Sequence, residues 1–446
     1  MASATKYNTY PKYKPSGIDW LGDIPEGWEV KRLKYYFDYH DGGVWGDEPK
    51  GDVNDMTCIR VADFDFNNFS INKDDLTTRN IPPNQHSRIL KKGNLLLEKS
   101  GGGEKQLVGR AIKFDSDKRA VCSNFIERLV VHKHYSENYL AYLMGSLYYG
   151  FLNYRSIKQT TGIQNLDIYY YFCEQAPFPE LAEQRAIADF LDRETENIED
   201  VIEKKQKLIE LLLEKRQALI AHAVIKGLDP KAKMKPSGID WLGDIPEGWE
   251  VKRLRFVSNY VKTGSTLDSE KQEYFEFGNI PWFTPGDFSE KIDLNDTMRK
   301  ITPKAVIDGE ARLFKKDSIL LVGIGATLGK IGFSKTEFSA NQQINVIYIN
   351  NQNVPRFYAY YLMAIAEIVT STSNASTLGI LNQEKTKQIL CVVPSKQEQI
   401  KIVDYIDKQW VTFENVIKKV ESQIEKLQEF RQALISNVIT GKVKVN

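Results

Sequence analysis

Four short stretches of the chain hold residues at spacings that catalysis uses, and each lacks part of the chemistry it suggests. Gly323-Ile324-Gly325-Ala326-Thr327-Leu328-Gly329-Lys330 has the glycines and lysine of a phosphate-binding loop. A P-loop needs GxxxxGK followed by a Ser or Thr that reaches magnesium, and Ile324 and Ile331 occupy the first-glycine and hydroxyl positions. The stretch is expected to be a tight turn between strands. Ile81-Pro82-Pro83-Asn84 does not supply the (N/D/S)PP(Y/F) motif that an amino-methyltransferase carries. Glu203-Lys204-Lys205 has the ExK spacing of nucleases but lies in a helical pattern without a suitably placed upstream Asp, so a solvated helix face is expected. His132 and His134 would share one face of a strand, without the carboxylate or cysteine neighbours of a metal site. No catalytic residue, metal site or cofactor is expected.

The bulk composition narrows the remaining classes. Lys+Arg 60 against Asp+Glu 59 gives a net charge of +1 over 446 residues, so no global field draws the chain to DNA or a membrane, and any nucleic-acid surface must be local. Cys58, Cys122, Cys173 and Cys391 stand far apart with no CxxC pair, which favours reduced thiols. The first residues carry no apolar leader-like run, and the longest apolar stretch, 318–329, is too short to span a bilayer. A cytoplasmic protein without membrane contact is the expectation.

The elements that would position a binding surface are set by a duplication. The segment KPSGIDWLGDIPEGWEVKRL occurs at 14–33 and again, unchanged, at 235–254. Weaker echoes follow in the same order. An apolar run at 90–97 is matched at 314–321, each followed by a glycine-rich loop, and Tyr139 to Met144 is matched by Tyr358 to Met363 in expected amphipathic helices. Two polar stretches, 159–165 and 376–382, come next, and each half then enters a long helical pattern after Pro179 or Pro394.

The helical patterns align without a gap over 179–220 and 394–435. Their apolar steps of three and four, through Ile187, Leu191, Ile198, Val201, Leu208, Leu212 and Leu219 and through Ile402, Ile406, Phe413, Val416, Val420, Leu427, Phe430 and Leu434, predict a coiled-coil seam. About forty helical residues make a rod of roughly 60 Å, and each rod supplies the other's partner. The expected domains are 1–178, a helix over 179–226, 227–393 and a helix over 394–446. Between the shared elements the halves diverge, 35–80 having little in common with 255–300. Repeated surfaces suit two copies of one partner, and unlike surfaces at equivalent places suit two different ones. An antiparallel helix pair would relate the halves by an approximate two-fold axis, which is the symmetry of duplex DNA about its dyad.

The order and content of these elements resemble the specificity subunit of type I restriction-modification systems: GWEVKRL openings, two variable domains, and two long helices that begin with Pro-x-x-x-Glu-Gln. The resemblance covers nearly the whole chain. It implies an α/β fold with two duplicated target-recognition domains separated by two long antiparallel coiled-coil helices in pseudo-two-fold arrangement. It also implies a non-catalytic subunit that reads a split double-stranded DNA sequence and docks two methyltransferase subunits, joined in the full complex by restriction/translocase subunits. The specificity subunit of a two-part restriction enzyme whose other chain both methylates and cuts is the nearest alternative, and a coiled-coil adapter that binds no DNA is the alternative from another class.

On that resemblance, DNA contacts are expected from polar loops in the variable regions, since Lys and Arg meet phosphates and Arg, Lys, Asn, Gln, Ser and Thr reach base edges. The candidates in the first half are Arg60, then Lys99, Lys105 and Gln106 of a glycine-rich loop with Arg110, and Arg155, Lys158, Gln159 and Thr160. In the second half they are Lys262, Thr263, Ser265 and Thr266, then Trp282 and Thr284, Lys330, and Ser373 with Asn374. For any one of these lysines the alternative is a solvated surface charge. Methyltransferase docking is expected from the repeated residues Trp20, Trp28, Glu183, Gln184, Asp189 and Asp192 and their echoes Trp241, Trp249, Glu398, Gln399, Asp404 and Asp407. Packing within the domain is the alternative for the tryptophans, and helix capping for the carboxylates.

Overall fold

The apolar runs at 90–97 and 314–321 become central strands buried on both faces, and this decides the layering of each half. The computed structural model describes residues 7–445 except 73, 104–105, 160–161, 269, 290 and 374–379, and for 372 and 373 the backbone alone. The chain divides into two units, Met1–Lys205 with Glu421–Asn446, and Gln206–Val420.

In the first unit the strands include β1 (Glu29–Arg32), β2 (Phe37–Gly42), β3 (Asp55–Ile59), β4 (Leu95–Glu98), β5 (Ser100–Gly101), β6 (Ala111–Lys113), β7 (Ala120–Cys122) and β8 (Ile126–Val131). Helix α1 (Glu137–Tyr149), strands β9 (Ile157–Gln159), β10 (Gln164–Leu166) and β11 (Gln175–Phe178), and the start of helix α2 (Leu181–Lys226) follow. The main sheet is antiparallel in the order β6-β4-β8-β2. Because successive side chains of a strand point to opposite faces, Leu95 and Leu97 enter the core that holds Tyr139, Leu140 and Leu143 of α1. Leu96 enters a second core with Ile59, Ile112, Phe114 and Ile126. Fully burying each leucine contributes about 1.5–3 kcal/mol.

The second unit repeats the plan with β12 (Glu250–Arg253), β13 (Ser258–Thr263), β14 (Ile280–Phe283), β15 (Ser318–Val322), β16 (Ile331–Ser334), β17 (Ser339–Ala340), β18 (Ile344–Ile349), helix α3 (Pro355–Ala364), β19 (Leu390–Val393) and helix α4 (Lys396–Ile439). Its sheet order is β13-β18-β15-β16. Ile319 and Leu321 face the core shared with α3, while Leu320 and Val322 face Phe283, Phe314 and Phe338. The glycine-rich stretch 323–330 is the turn between β15 and β16, as its sequence predicts. In each unit a parallel pair lies beside the main sheet, β3 with β7 and β14 with β17.

The GWEVKRL strand pairs antiparallel with the strand that leads into the long helix, β1 with β11 and β12 with β19. Within the first unit the start of α2 runs antiparallel to the end of α4, with Glu199 bound to Arg431 and Lys205 to Gln423. Within the second unit Arg216 of α2 stacks over Trp410 of α4 at 4.2 Å. Both helices stop at glycines of left-handed conformation, Gly227 (φ 80°) and Gly441 (φ 73°). Beside each stop a lysine ammonium donates to carbonyls of the repeat: Lys226 to Leu242 and Asp244, Lys442 to Leu21 and Asp23.

The seam expected from spacing holds only in part. Ile187, Leu191, Ile198, Ile402, Ile406 and Leu434 are buried, but Val201, Leu208, Val416 and Phe430 are 40–46% exposed. Ile202, Ile220 and the ion-paired Arg431 are buried in α2 and α4 instead. A straight helix drifts by about 20° per heptad against a 3.5-residue repeat, which turns a long strict seam away from its partner. Among the described residues no helix is long and apolar enough to cross a membrane, and no group of three or more His, Cys, Asp or Glu could hold a metal ion.

Candidate nucleic-acid interface

In the first unit the polar loops are drawn to one corner by backbone hydrogen bonds. A Cβ at Gly43 would lie 2.2 Å from the carbonyl oxygens of Cys122 and Ser123, so only glycine lets the loop after β2 press on the end of β7. The Ser123 amide donates to Ile59 O, which brings up Arg60, and the amides of Lys99 and Ser100 both donate to Phe125 O. The strands β5, β10 and β9 form a small sheet whose register sets Ser100, Asn165 and Lys158 in one row. Ser100 Oγ donates to Asn165 Oδ1 at 2.7 Å, and Asn165 and Lys158 are exposed. The row presents a hydroxyl, an amide and an ammonium side by side, the groups that reach bases and phosphates.

Several of the candidate cations are already paired. Lys99 Nζ lies 2.8 Å from Glu127, which also takes His40 Nδ1 at 2.6 Å. Arg110 grips Glu98, only 1% exposed, at 2.8 Å and lies over the Phe66 ring at 4.0 Å, which makes it a brace for a buried charge. Lys158 contacts Asp167 at 2.7 Å while remaining 72% exposed, and its ammonium is the main cause that holds the Asp167 carboxyl below its ordinary range. Arg155, Gln159 and Gln106 are exposed on the same loops. Lys105 and Thr160 lie outside the described residues.

The second unit builds the same corner from different residues. A Cβ at Gly264 would lie 2.2 Å from Ala340 O and Asn341 O, the Asn341 amide donates to Phe283 O, and the Ser265 amide donates to Ala340 O. The Gly323 amide donates to Gln343 O and the Leu381 amide to Gly323 O. This brings Lys262, Thr263, Ser265, Thr266 and Thr284 together, with Thr263 Oγ1 bonded to Asn345 Oδ1 at 2.9 Å. An arginine that stands two residues before each of the matched apolar runs clips each corner. Arg88 donates to Gly43 O at 3.0 Å and also to Gly42 O, and Arg312 donates to Thr263 O at 2.7 Å.

Two second-half candidates stand apart from this corner. Trp282 packs edge-on against Phe275 within a small apolar cluster, which favours a packing role for its ring. Lys330 lines a cleft of about 480 Å³ with Arg216, Lys291, Glu367, Thr370 and Trp410. Ser373 ends a short helix, Ala366–Ser373, with its side chain not described, and Asn374 lies outside the described residues.

The expected docking residues divide sharply. Trp28 and Trp249 are each 1% exposed, and their indole Nε1 atoms donate to Glu183 Oε2 at 2.9 Å and Glu398 Oε1 at 3.1 Å. Gln184 and Gln399 are fully buried. Gln184 accepts from the Ser136 amide, at the cap of α1, and donates to Pro179 O. Gln399 accepts from the Val354 amide, before α3, and donates to Pro394 O. Within its own unit each set joins the repeat, the central helix and the long helix, which gives the buried Trp28, Gln184, Trp249 and Gln399 a packing role. Asp192 accepts from Tyr142 OH at 2.7 Å, and Asp407 from Arg356 Nε at 2.8 Å and from Tyr360 OH. Trp20 is half-buried, while Trp241, Asp189 and Asp404 are exposed.

Comparison with known proteins gives a consistent outcome. Residues 246–426 match the family model described as the type I restriction modification DNA specificity domain. The chain spans about half the length of the first curated relatives it matches: it is 32% identical over 201 residues to the type I restriction enzyme MjaIX specificity subunit of Methanocaldococcus jannaschii, 44% of this chain and 45% of that one. The putative MjaX specificity subunit of the same organism is 21% identical over 441 residues, 95% of this chain and 96% of that one. Among solved structures, a chain from a study of complex assembly and conformational transition of the type I R-M system superposes with a TM-score of 0.69 at 16% identity. That superposition covers 93% of this chain and 98% of the other, and it supports the fold.

Proposed function

On its similarity to the type I restriction-modification DNA specificity family, we propose that the chain is the non-catalytic, sequence-reading subunit of a DNA methyltransferase or restriction complex. Each unit reads one part of a split, asymmetric double-stranded DNA target, and the chain docks two methyltransferase subunits that supply the methyl-transfer chemistry. Restriction/translocase subunits join that assembly in the cytoplasm.

The observation that carries this reading is the corner built twice with one backbone plan and two sets of side chains. The arginine clip, the glycine pressed on the neighbouring strand and the amide bond to the preceding strand recur. The side chains at equivalent places do not: Gly42, Val44 and Trp45 stand in one unit where Thr263, Ser265 and Thr266 stand in the other, and Arg60 stands where Thr284 does. A fixed frame with exchanged polar groups is what reading two unlike half-sites requires, because base identity is distinguished by donor and acceptor pattern.

Docking on this reading falls to exposed positions that recur in both helices. Val201 and Val416, which the helical patterns align, are 40% and 42% exposed, and Asp189 and Asp404 share their accessibility. The function is tested by expressing the chain with its methyltransferase and sequencing the modified bases of the host genome. A bipartite asymmetric motif is expected, and the absence of any modified motif in an assembled complex contradicts the proposal.

A further inference from the structure

One position stands at the same place in both corners and carries a different residue in each. Strands β3 and β14 both end in a carbonyl, Ile59 O and Phe283 O, that accepts the amide of the neighbouring loop, from Ser123 and Asn341. The next residue caps a short turn, Val61–Asp63 in the first unit and Pro285–Asp287 in the second. The cap is Arg60 in one and Thr284 in the other, and the last residue of the turn is an aspartate in both.

The aspartate does the same work twice. Asp63 Oδ2 takes the Arg60 amide at 2.7 Å and Nε at 3.2 Å, and Oδ1 takes Nη2 at 2.7 Å. Asp287 Oδ2 takes the Thr284 amide at 2.7 Å and the Thr284 hydroxyl at 2.9 Å, and Oδ1 takes the Thr297 hydroxyl at 2.5 Å. The turn and its carboxylate are constant, and the residue held out by them varies.

Resting on the specificity-subunit reading above, we propose that this cap is a base-reading position of each domain, and that Arg60 reads a guanine. A guanidinium has five N–H donors in a fixed plane. Asp63 engages the Nε–H and one Nη2–H, which leaves the Nη1/Nη2 edge as a two-pronged donor. That edge fits the N7 and O6 acceptors of guanine in the major groove. Asp63 is 5% exposed while the arginine side chain is 39% exposed, so the carboxylate holds the plane from the buried side and the guanidinium keeps access to solvent. Holding the plane in advance reduces the ordering cost of binding.

Thr284 offers the opposite pattern. Its hydroxyl proton goes to Asp287, so only oxygen lone pairs and a methyl group remain. That surface accepts from the amino group of cytosine or adenine, or meets a thymine methyl, and it cannot donate to guanine N7 or O6. The half-site of the first unit therefore demands a guanine at one position, and the half-site of the second does not demand one at the corresponding position.

The test is genome-wide mapping of modified bases in cells that express the complete chain with its methyltransferase, as wild type and as the Arg60→Thr, Arg60→Lys and Thr284→Arg variants. Each exchange of arginine and threonine has its folding template in the other unit of the same chain. Arg60→Thr is expected to relax or change one guanine in one half of the motif and to leave the other half intact. Arg60→Lys, which loses the planar fork, is expected to lower modification at wild-type sites about ten-fold or more. Thr284→Arg is expected to change one position in the opposite half. Should Arg60→Thr fail to assemble, Thr284→Arg decides alone. A motif unchanged in sequence in every variant that assembles overturns the inference and leaves the specificity-subunit reading standing, whereas a wild-type complex without a bipartite motif overturns that reading itself.

Discussion

The indole Nε1 of Trp28 donates to the Glu183 carboxylate at 2.9 Å, and Trp249 makes the same bond to Glu398 at 3.1 Å. The bond joins the repeated segment to the first turn of the long helix, so the two most visible duplicated motifs are the halves of one internal joint. Tyr10 OH shares the Glu183 carboxylate at 2.7 Å. Removing that carboxylate leaves a buried indole and a partly buried phenol without an acceptor. Glu183→Ala is expected to lower stability by about 2–4 kcal/mol, read as a fall in denaturant midpoint, and Glu183→Gln, which keeps an oxygen acceptor, by clearly less.

Arg110, just before β6, and Lys158 of β9 should separate stability from DNA affinity. Arg110→Ala abandons Glu98, 1% exposed, and is expected to cost about 3–5 kcal/mol in chemical denaturation. Lys158→Ala removes an ammonium that is 72% exposed, so stability should move by less than about 1 kcal/mol while DNA affinity of the assembled complex falls. Equal stability losses in the two variants would contradict the assignment of Arg110 as a brace.

The cleft that holds Lys330, Lys291 and Arg216 has one carboxylate, Glu367, among its lining residues, and on the proposed function it is expected to take a phosphate of the DNA backbone. Replacing Lys291 and Lys330 together by alanine is expected to weaken binding to all sequences alike and to reduce the salt dependence, with log K against log salt shallower by up to about 2. A change in the recognised motif instead would make Lys330 a base reader.

Val201 and Val416 expose apolar surface at aligned positions of α2 and α4. Val201→Asp and Val416→Asp are each expected to reduce the methyltransferase retained per specificity subunit in sedimentation measurements, with no loss of thermal stability. Unchanged stoichiometry in the double variant would exclude these valines from the docking surface.

The duplication, the central strands and both long helices are legible in the sequence because apolar runs and helical steps are local patterns. The buried runs at Leu95 and Ile319 declare themselves as continuous rather than alternating, since each strand serves two cores. Burial of Trp28 and Gln184 is not legible, because an identical repeat looks the same whether it is a joint or a surface. Nor is the equivalence of Arg60 with Thr284. That pair sits in stretches that share no sequence, and only the strand pairing β3 with β7 and β14 with β17 brings it into register, whereas Arg88 and Arg312 each stand two residues before the matched runs at 90–97 and 314–321. Asn165 lies in a polar stretch that the spacing marks, but its place between Ser100 and Lys158 depends on strand register alone. The exposure of Val201 and Val416 escapes a strict heptad reading because the seam drifts along a straight helix.

The central claim is that the two units read two half-sites independently. Its most direct test replaces residues 35–160 with the corresponding segment of a specificity subunit of different target, expresses the hybrid with the methyltransferase, and maps the modified bases across the genome. One half of the bipartite motif should change to that of the donor while the other half stays as in the wild type. A hybrid that assembles and modifies DNA but alters both halves, or neither, contradicts the account.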